Sequence, residues 1–320
     1  MAFLKAKTTL LFKKESTPYT MEASITGSDG CGIENLSIKY DIPIKDVNYS
    51  SRYLSPVLSV AGKRSVQITF DVPLHFSGTA GTAPKYFELL ECCGATVTQY
   101  TTTGVACTLA SDKTNVPCTL QFQYMEEGAN PAIVQCKAFG CMGNVKLSAP
   151  AVGDYAKLSF DFKGVADTPT DRTYAQFINP TYTHYSPVVM LSTGVSLFGE
   201  SQTVNTFNID FANSVELFSD PSKAQGFSGA HIVDRNPVID LDPMMVTCAT
   251  QDDYTRLIGN TMGAFVAQFA GPIVISAPKC QYQEAWTLGD REGYITKQKK
   301  LILNRNTGDD ELEILHGSKT

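Results

Sequence analysis

Leu36-Ser37-Ile38-Lys39-Tyr40 alternates apolar and polar residues, and Phe207-Asn208-Ile209-Asp210-Phe211 repeats that alternation 207 − 36 = 171 residues later. At the same offset, 239 − 68 = 171, Ile68-Thr69-Phe70-Asp71 is echoed by Ile239-Asp240-Leu241-Asp242. A helix signal follows each time, with Tyr86, Leu89 and Leu90 echoed by Tyr254, Leu257 and Ile258 at 254 − 86 = 168. Strict period-two alternation marks a strand with one packed and one wet face. The chain therefore reads as a strand, long connection, strand and helix, written twice. A chain that carries such a unit twice can build a symmetric assembly from half as many chains.

Strands dominate the rest. Alternation recurs at 36–42, 66–72, 120–124, 158–162, 207–211, 215–217 and 312–314, separated by turn residues such as Gly128, Gly153-Asp154 and Asn306-Thr307-Gly308-Asp309. Two helices are expected. The first spans 84–93 with Tyr86, Leu89, Leu90 and Cys93 inward; the second spans 251–262 with Tyr254, Leu257, Ile258 and Met262 inward. Gly153-Asp154 and Gly289-Asp290 each precede a late strand, at an offset of only 289 − 153 = 136. The shortfall, 168 − 136 = 32, matches one added hairpin at about 97–128 in the first copy. The expected organisation is a mainly β chain with α+β elements: a first unit over 1–165, a linker over 166–185 and a second unit over 186–320.

Composition narrows the function. Hydrophobic residues make up 43% and charged residues 18% of the 320, which is a globular balance. A net charge of −6 argues against tight, salt-driven binding to a nucleic-acid backbone and permits a surface along which DNA passes without adhering. No apolar run is long enough to span a membrane, so no membrane anchor is expected. The cluster Leu10-Leu11-Phe12 is followed at once by Lys13-Lys14-Glu15, too short for a signal-peptide core, which points to synthesis in the cytoplasm. The nine cysteines then read as reduced, buried thiols; Cys92-Cys93 and the Cys136/Cys141 spacing do not fit a zinc site.

Catalytic signatures are missing. The four histidines, His75, His184, His231 and His316, are scattered, and neither a metalloprotease helix, a nucleophile elbow nor a dinucleotide fingerprint occurs. Gly78-Thr79-Ala80-Gly81-Thr82 lacks the lysine of a phosphate loop and reads as a flexible helix entry. Trp286, the only tryptophan, reads as a core or interface anchor. Neither enzyme activity, cofactor nor metal is expected.

Several segments together resemble the tail tube proteins (major tail proteins) of long non-contractile-tailed bacteriophages. They are the opening Leu10-Leu11-Phe12-Lys13-Lys14-Glu15-Ser16-Thr17-Pro18-Tyr19-Thr20, the stretch Arg52-Tyr53-Leu54-Ser55-Pro56 leading to Val66-Gln67-Ile68-Thr69-Phe70-Asp71-Val72-Pro73-Leu74, and Ser77-Gly78-Thr79-Ala80-Gly81-Thr82-Ala83-Pro84-Lys85-Tyr86 running on to Cys92-Cys93-Gly94. Tyr155-Ala156-Lys157-Leu158-Ser159-Phe160-Asp161-Phe162-Lys163-Gly164 and Asp234-Arg235-Asn236-Pro237 fit the same pattern. The resemblance implies a β-sandwich or barrel unit with one flanking helix, present here in tandem. It also implies rings whose inner strands form one central β-barrel, and stacking of those rings into a tube.

With two units per chain, three chains supply the six units of a ring, a trimeric, pseudo-hexameric assembly. The implied role is that of a structural virion protein, assembled in the host cytoplasm, that conducts DNA during ejection without binding it specifically. The implied partners are further copies of itself, a tail tape-measure protein and tail-end proteins. Candidate lumen strands are 35–46 with 63–74 and 206–218 with 232–244, carrying the candidate lumen-facing acids Asp41, Asp71, Asp210, Asp240 and Asp242. The connections 47–62 and 219–231 are candidate inter-ring loops, with Arg52, Tyr53, Leu54, Val57 and Phe227 suited to docking. Two alternatives compete: another tail-end or adaptor protein of the tube superfamily, and a two-domain β-sandwich adhesin, which would need an aromatic-lined pocket and a secretion route.

Overall fold

The computed structural model describes residues 3–47, 58–100, 103–113, 116–128, 130–181, 185–269 and 271–319. Among the described residues strands dominate and helices are few and short, so the fold is mainly β. β1 (Phe3–Lys14) leads through β2 (Gly30–Cys31) to β3 (Glu34–Asp41). A separate hairpin, β4 (Ile44–Val47) with β5 (Leu58–Ala61), precedes β6 (Ser65–Pro73) and helix α1 (Phe87–Glu91). Next come the hairpin β7 (Ala95–Tyr100) and β8 (Gly104–Leu109), then β9 (Cys118–Glu126), β10 (Ile133–Ala149), β11 (Lys157–Ala166) and β12 (Thr170–Arg172). The second half opens with β13 (Gly194–Leu197), β14 (Glu200–Gln202) and β15 (Phe207–Asp210). The hairpin β16 (Asn213–Ser219) and β17 (Phe227–Arg235) leads to β18 (Val238–Leu241), then α2 (Asp253–Ile258) and β19 (Gly263–Gln268). β20 (Ile273–Tyr282), β21 (Thr287–Arg291), β22 (Tyr294–Leu303) and β23 (Glu313–Gly317) end the chain.

All strand pairings among the described residues are antiparallel. One sheet runs β3-β6-β11-β10-β15-β18-β22 and ends on β20 and β21, which share the far edge of β22. Two shorter sheets back it: β2-β1-β9-β10-β12, and β14-β13-β19-β20-β23-β8-β7. Among the described residues this network branches but does not close on itself into a barrel.

β10 and β20 each serve two sheets. β10 changes register between Ala138 and Cys141 against β9, and between Phe139 and Met142 against β11. Gly140 sits at that bulge with φ of 57°, a conformation that costs an L side chain, and the extra residue bends the strand from one sheet into the other. Its N–H donates to the buried carboxylate Oε1 of Glu15 at 2.6 Å, which also accepts from Thr119 Oγ1 at 3.0 Å.

The core lies between the long sheet and its backing sheets. Period-two burial is clean on β6 and β11, where Ile68, Phe70, Val72, Leu158, Phe160 and Phe162 are buried and their neighbours half-buried. Phe70 stacks on Phe160 and Phe162 at 5.4 and 5.9 Å, cross-strand pairs that pin the register. The apolar cluster continues without a break through Leu147, Phe207, Ile209, Ile239 and Leu301.

Helix α1 presents the expected face: Tyr86, Leu89, Leu90 and Cys93 are all fully buried. Its cover includes β23, which is inserted between β8 and β20; the His316 ring meets Phe87 at 4.8 Å. Helix α2 departs from expectation in part: Leu257 packs, partly buried, against the core as expected, but its neighbours on the stripe do not. Tyr254 and Ile258 are each 63% exposed and Met262 is 48% exposed, while Asp253 turns inward at 1%. The cause is electrostatic. Asp253 Oδ2 accepts from Lys297 Nζ at 2.9 Å, and Oδ1 from Lys299 Nζ at 2.9 Å and Tyr282 Oη at 2.5 Å, so the polar N-terminal turn, not the apolar stripe, is clamped to the sheet.

The expected strands at 35–46 and 206–218 also break early. The chain leaves the long sheet after β15, where Ala212 adopts φ of 49° and its N–H is held by Asp210 Oδ1 at 2.7 Å. Asn213 Nδ2 then donates to Cys93 O at 2.7 Å and Gly143 O at 3.1 Å, directing β16 away from the sheet. Within 166–185, β12 pairs with β10 and Thr181 N donates to Gly27 O at 2.8 Å, so this segment packs along the first backing sheet.

Candidate functional site

Alternation on the strands of the long sheet sends one set of side chains to the core and leaves the other as a half-exposed polar face. On β6 and β11 that face carries Gln67, Thr69, Asp71, Lys157, Ser159, Asp161 and Lys163; on β10 and β15 it carries Asn144, Lys146, Ser148, Asn208 and Asp210. Asp240 and Lys300 face each other across β18 and β22, with Asn208 beside Asp240 on β15. Four of the acids singled out from the sequence, Asp71, Asp210, Asp240 and Asp242, thus share one face of one sheet. Asp41 joins it at the end of β3, opposite Ser65, in a cleft shared with Lys39, Gln67, Lys163 and Leu217 of the β16–β17 hairpin.

Most of these acids are engaged by neighbours. Asp71 accepts from Asn35 Nδ2 at 2.8 Å, Lys157 Nζ at 2.9 Å and Ser159 Oγ at 2.6 Å. Burial raises its carboxyl pKa, but those three donors and the Lys157 charge outweigh burial and hold it below the ordinary carboxylate value. Asp210 accepts from Asn144 Nδ2 at 2.8 Å. Asp242 accepts the N–H groups of Asn205 and Thr206 and forms an ion pair with Arg291 at 3.0 Å. The same alternation places lysines among the acids: Lys39, Lys146, Lys157, Lys163 and Lys300 fall on the polar parity of their strands, a signal already present in the sequence. The face is a mixed field of fixed charges and amides rather than a bare acidic stripe.

The two long hairpins behave differently. β16–β17 folds back onto the first half of the chain, with Val215, Ala230 and Ile232 buried against Met142 and Leu217 packed beside them. Lys163 Nζ donates to Val215 O at 2.7 Å, and Tyr19 Oη meets His231 Nδ1 at 3.0 Å. Its tip is tied down as well: Lys63 Nζ reaches Ser219 Oγ at 2.5 Å and lies 5.0 Å from the ring centre of Phe227, which starts β17 half-buried. The β4–β5 hairpin is almost wholly exposed, with Ile44 at 69%, Leu58 at 48% and Val60 at 52%. The candidate docking residues Arg52, Tyr53, Leu54 and Val57 lie outside the described residues, as does His184.

The other candidate chemistries stay apart. All nine cysteines are free thiols, and eight are buried, Cys248 being the exposed one. Among the described residues, His, Cys, Asp and Glu form no group of three or more that could hold a metal. The glycine-rich entry to α1 borders a cleft of about 470 Å³, where the Lys85 ammonium is already paired with Glu88 at 2.8 Å. Trp286 is half-buried, with Lys297 Nζ 5.0 Å from its ring centre. Among the described residues no helix is long and apolar enough to cross a membrane.

The described residues thus form a continuous antiparallel sheet with one polar face, beside which the β4–β5 hairpin stands exposed. Comparison with curated proteins gives no match. The family model described as "Phage tail tube protein" matches residues 5–265, from β1 into β19, and the chain belongs to that family.

Proposed function

We propose that this chain is the ring-forming subunit of the tail tube of a long non-contractile-tailed phage, with three chains per ring. The observation that carries this reading is the repeated strand order and register of the long sheet. β3 pairs with β6 through Ile38↔Ile68, and β15 with β18 through Ile209↔Ile239, an offset of 171 on both strands. β6 pairs with β11 through Ile68↔Phe162, and β18 with β22 through Ile239↔Leu301, so β11 maps to β22 at 301 − 162 = 139. β11 pairs with β10 through Phe162↔Gly143, and β22 with β20 through Leu301↔Tyr282, again 282 − 143 = 139. Each half of the chain thus contributes four strands to one sheet, consistent with tandem units over 1–165 and 186–320. Three such sheets joined edge to edge would line a channel with their polar faces, DNA sliding past fixed, mutually paired charges. The hairpin connections at 47–62 and 219–231 would meet the next ring, with the tape-measure protein inside the tube and tail-end proteins capping it.

Electron microscopy of the purified chain tests the reading. The expected result is stacked rings with a central channel, three chains per ring by mass, and sixfold pseudosymmetry confined to the inner wall. Six chains per ring would refute the tandem-unit stoichiometry, and a compact monomer at every concentration would refute the tube. The lumen assignment is tested with Asp240→Lys: assembly should persist while DNA delivery in a complementation assay falls. Unchanged delivery would place Asp240 away from the channel.

A further inference from the structure

The ends of the long sheet carry the information needed to join one copy to the next. Among the described residues β3 pairs only with β6, and β21 only with β22, so each leaves one row of backbone N–H and C=O groups exposed. Mid-sheet, the corresponding edges are joined within the chain. There β10 meets β15 with Lys146↔Asp210, Leu147↔Ile209, Ser148↔Asn208 and Ala149↔Phe207.

The offsets carry that junction to the sheet ends. Subtracting 171 turns Asp210 and Ile209 into Lys39 and Ile38. On the other side Ser159 faces Lys146 and Gln298 faces Thr287, and 298 − 159 = 139, so Thr287 takes the place of Lys146 and Leu288 that of Leu147. Burial reports the missing partner. Leu147 is 1% exposed beneath the junction, whereas Leu288 is 60% exposed. Ile209 is fully buried, whereas Ile38 is only half-buried and borders an open groove of about 580 Å³ lined also by Ile33, Leu36 and Tyr124.

The hairpins repeat the asymmetry. Ile44↔Ala61 in β4–β5 and Val215↔Ile232 in β16–β17 are the same register at 215 − 44 = 232 − 61 = 171. Val215 is 6% exposed because it packs on Met142 of the preceding half, while Ile44 is 69% exposed. The 139 offset converts Met142 and Lys163 to Gln281 and Ile302, both half-buried on β20 and β22.

We propose that a second copy of this chain docks on the β21 end through the same two contacts that join the halves of one chain. β21 pairs antiparallel with β3 of the second copy, Thr287 opposite Lys39 and Leu288 opposite Ile38. The β4–β5 hairpin of that copy lies over Gln281 and Ile302, burying Ile44. This interface rests on the ring reading above and specifies its register. Pairing satisfies both rows of exposed backbone groups, and covering Leu288 and Ile44 removes apolar side chains from water.

Oxidative cross-linking tests the register, in a Cys248→Ser background to remove the exposed native thiol. Lys39→Cys combined with Thr287→Cys should give covalent chain-to-chain species in assembled rings, limited to three chains. Asn35→Cys with Thr287→Cys, displaced by four residues or about 14 Å along the strand, should give at least roughly tenfold less. Rings that cross-link equally at both pairs, or not at the first, overturn the register while leaving the ring intact. A chain that forms no rings overturns the ring reading and this interface with it. Leu288→Asp and Ile44→Asp, both at sites exposed in the single chain, should leave the circular dichroism spectrum unchanged. Each should raise the concentration needed for assembly by roughly tenfold to a hundredfold, the equivalent of one large buried side chain. Normal assembly of both variants overturns the proposal.

Discussion

Replacing Asp253 with Asn should be among the most damaging single changes outside the aromatic core. The carboxylate is fully buried and is the hydrogen-bonded counterion of two ammonium groups, Lys297 and Lys299, whose side chains are 6% and 1% exposed. Asn keeps the volume but removes the charge, leaving two like charges in a site that water barely reaches. Breaking a buried ion pair from one side costs about 3–5 kcal/mol, and a cluster with two stranded cations belongs at the upper end of that range. Lys299→Met should behave oppositely: Asp253 retains Lys297, the surplus positive charge disappears, and the cost is expected to stay below about 1 kcal/mol. Burial first, and then the nearby Lys297 and Arg256 charges, push the Lys299 pKa down despite its hydrogen bond to Asp253. Urea unfolding at neutral pH and low protein concentration measures both variants. Hydrogen exchange should show protection lost first in α2, since Asp253 is what holds that helix to β22. An Asp253→Asn cost under about 1 kcal/mol, or equal costs for the two variants, would refute the argument that the clamp rather than apolar packing orients α2.

Three further outcomes are expected. His316 is buried with its pKa pushed down to about 3 by burial and by the neighbouring His75; Tyr86 Oη, donating to His75 O, accepts from Nε2, and Nδ1 has no hydrogen-bond partner. A pKa depressed in the folded state means stability is fully present above 6.5 and lost as pH falls towards 3. The slope approaches about 1.4 kcal/mol per pH unit below 6.5, so roughly 2.3 kcal/mol disappears between pH 6.5 and 4.5. His316→Gln should abolish that component of the slope, and an unchanged urea midpoint difference between the two pH values would contradict it. Val215→Ala should weaken hairpin docking by about 1.5–3 kcal/mol, seen as faster hydrogen exchange in β16–β17 with the long sheet unaffected. Asp71→Asn should cost about 0.5–1.5 kcal/mol at neutral pH, because the Lys157 partner is partly solvated. Since the Asp71 pKa is depressed below 3.8, that difference should be fully present above about 4 and shrink as pH falls from 3.8 through the lower folded value, and a difference that does not shrink on acidification would show that the loss is not electrostatic.

Local alternation was enough to locate β3, β6, β11, β15 and β18 and the inward face of α1, because a period of two or 3.6 is imposed by backbone geometry before any partner is chosen. It did not mark β10 or β20, which each serve two sheets, β10 being buried on both faces over part of its length. The same pattern put Asp71, Asp210 and Asp240 on polar parity together with the lysines beside them. Family membership was legible in the opening segment, the glycine-rich helix entry and the late strand 155–164. The face of α2 was not legible. Tyr254, Leu257, Ile258 and Met262 form a proper apolar stripe, but which side of a short helix is buried depends on what surface it meets, and here three polar side chains from β20 and β22 claim Asp253 instead.

The amino-acid sequence by itself determined the β class, the repeated strands at an offset of 171 and the absence of any recognisable catalytic motif, all of which follow from residue type and spacing. Only the tertiary structure decided that β10 and β20 bend between sheets, that β23 inserts between β8 and β20, and that one long hairpin is buried while its counterpart is exposed. Those outcomes depend on contacts between residues far apart in the chain. Val215 of the buried hairpin meets Met142 of the first half, whereas Ile44 at the same register of the exposed hairpin meets no such surface among the described residues.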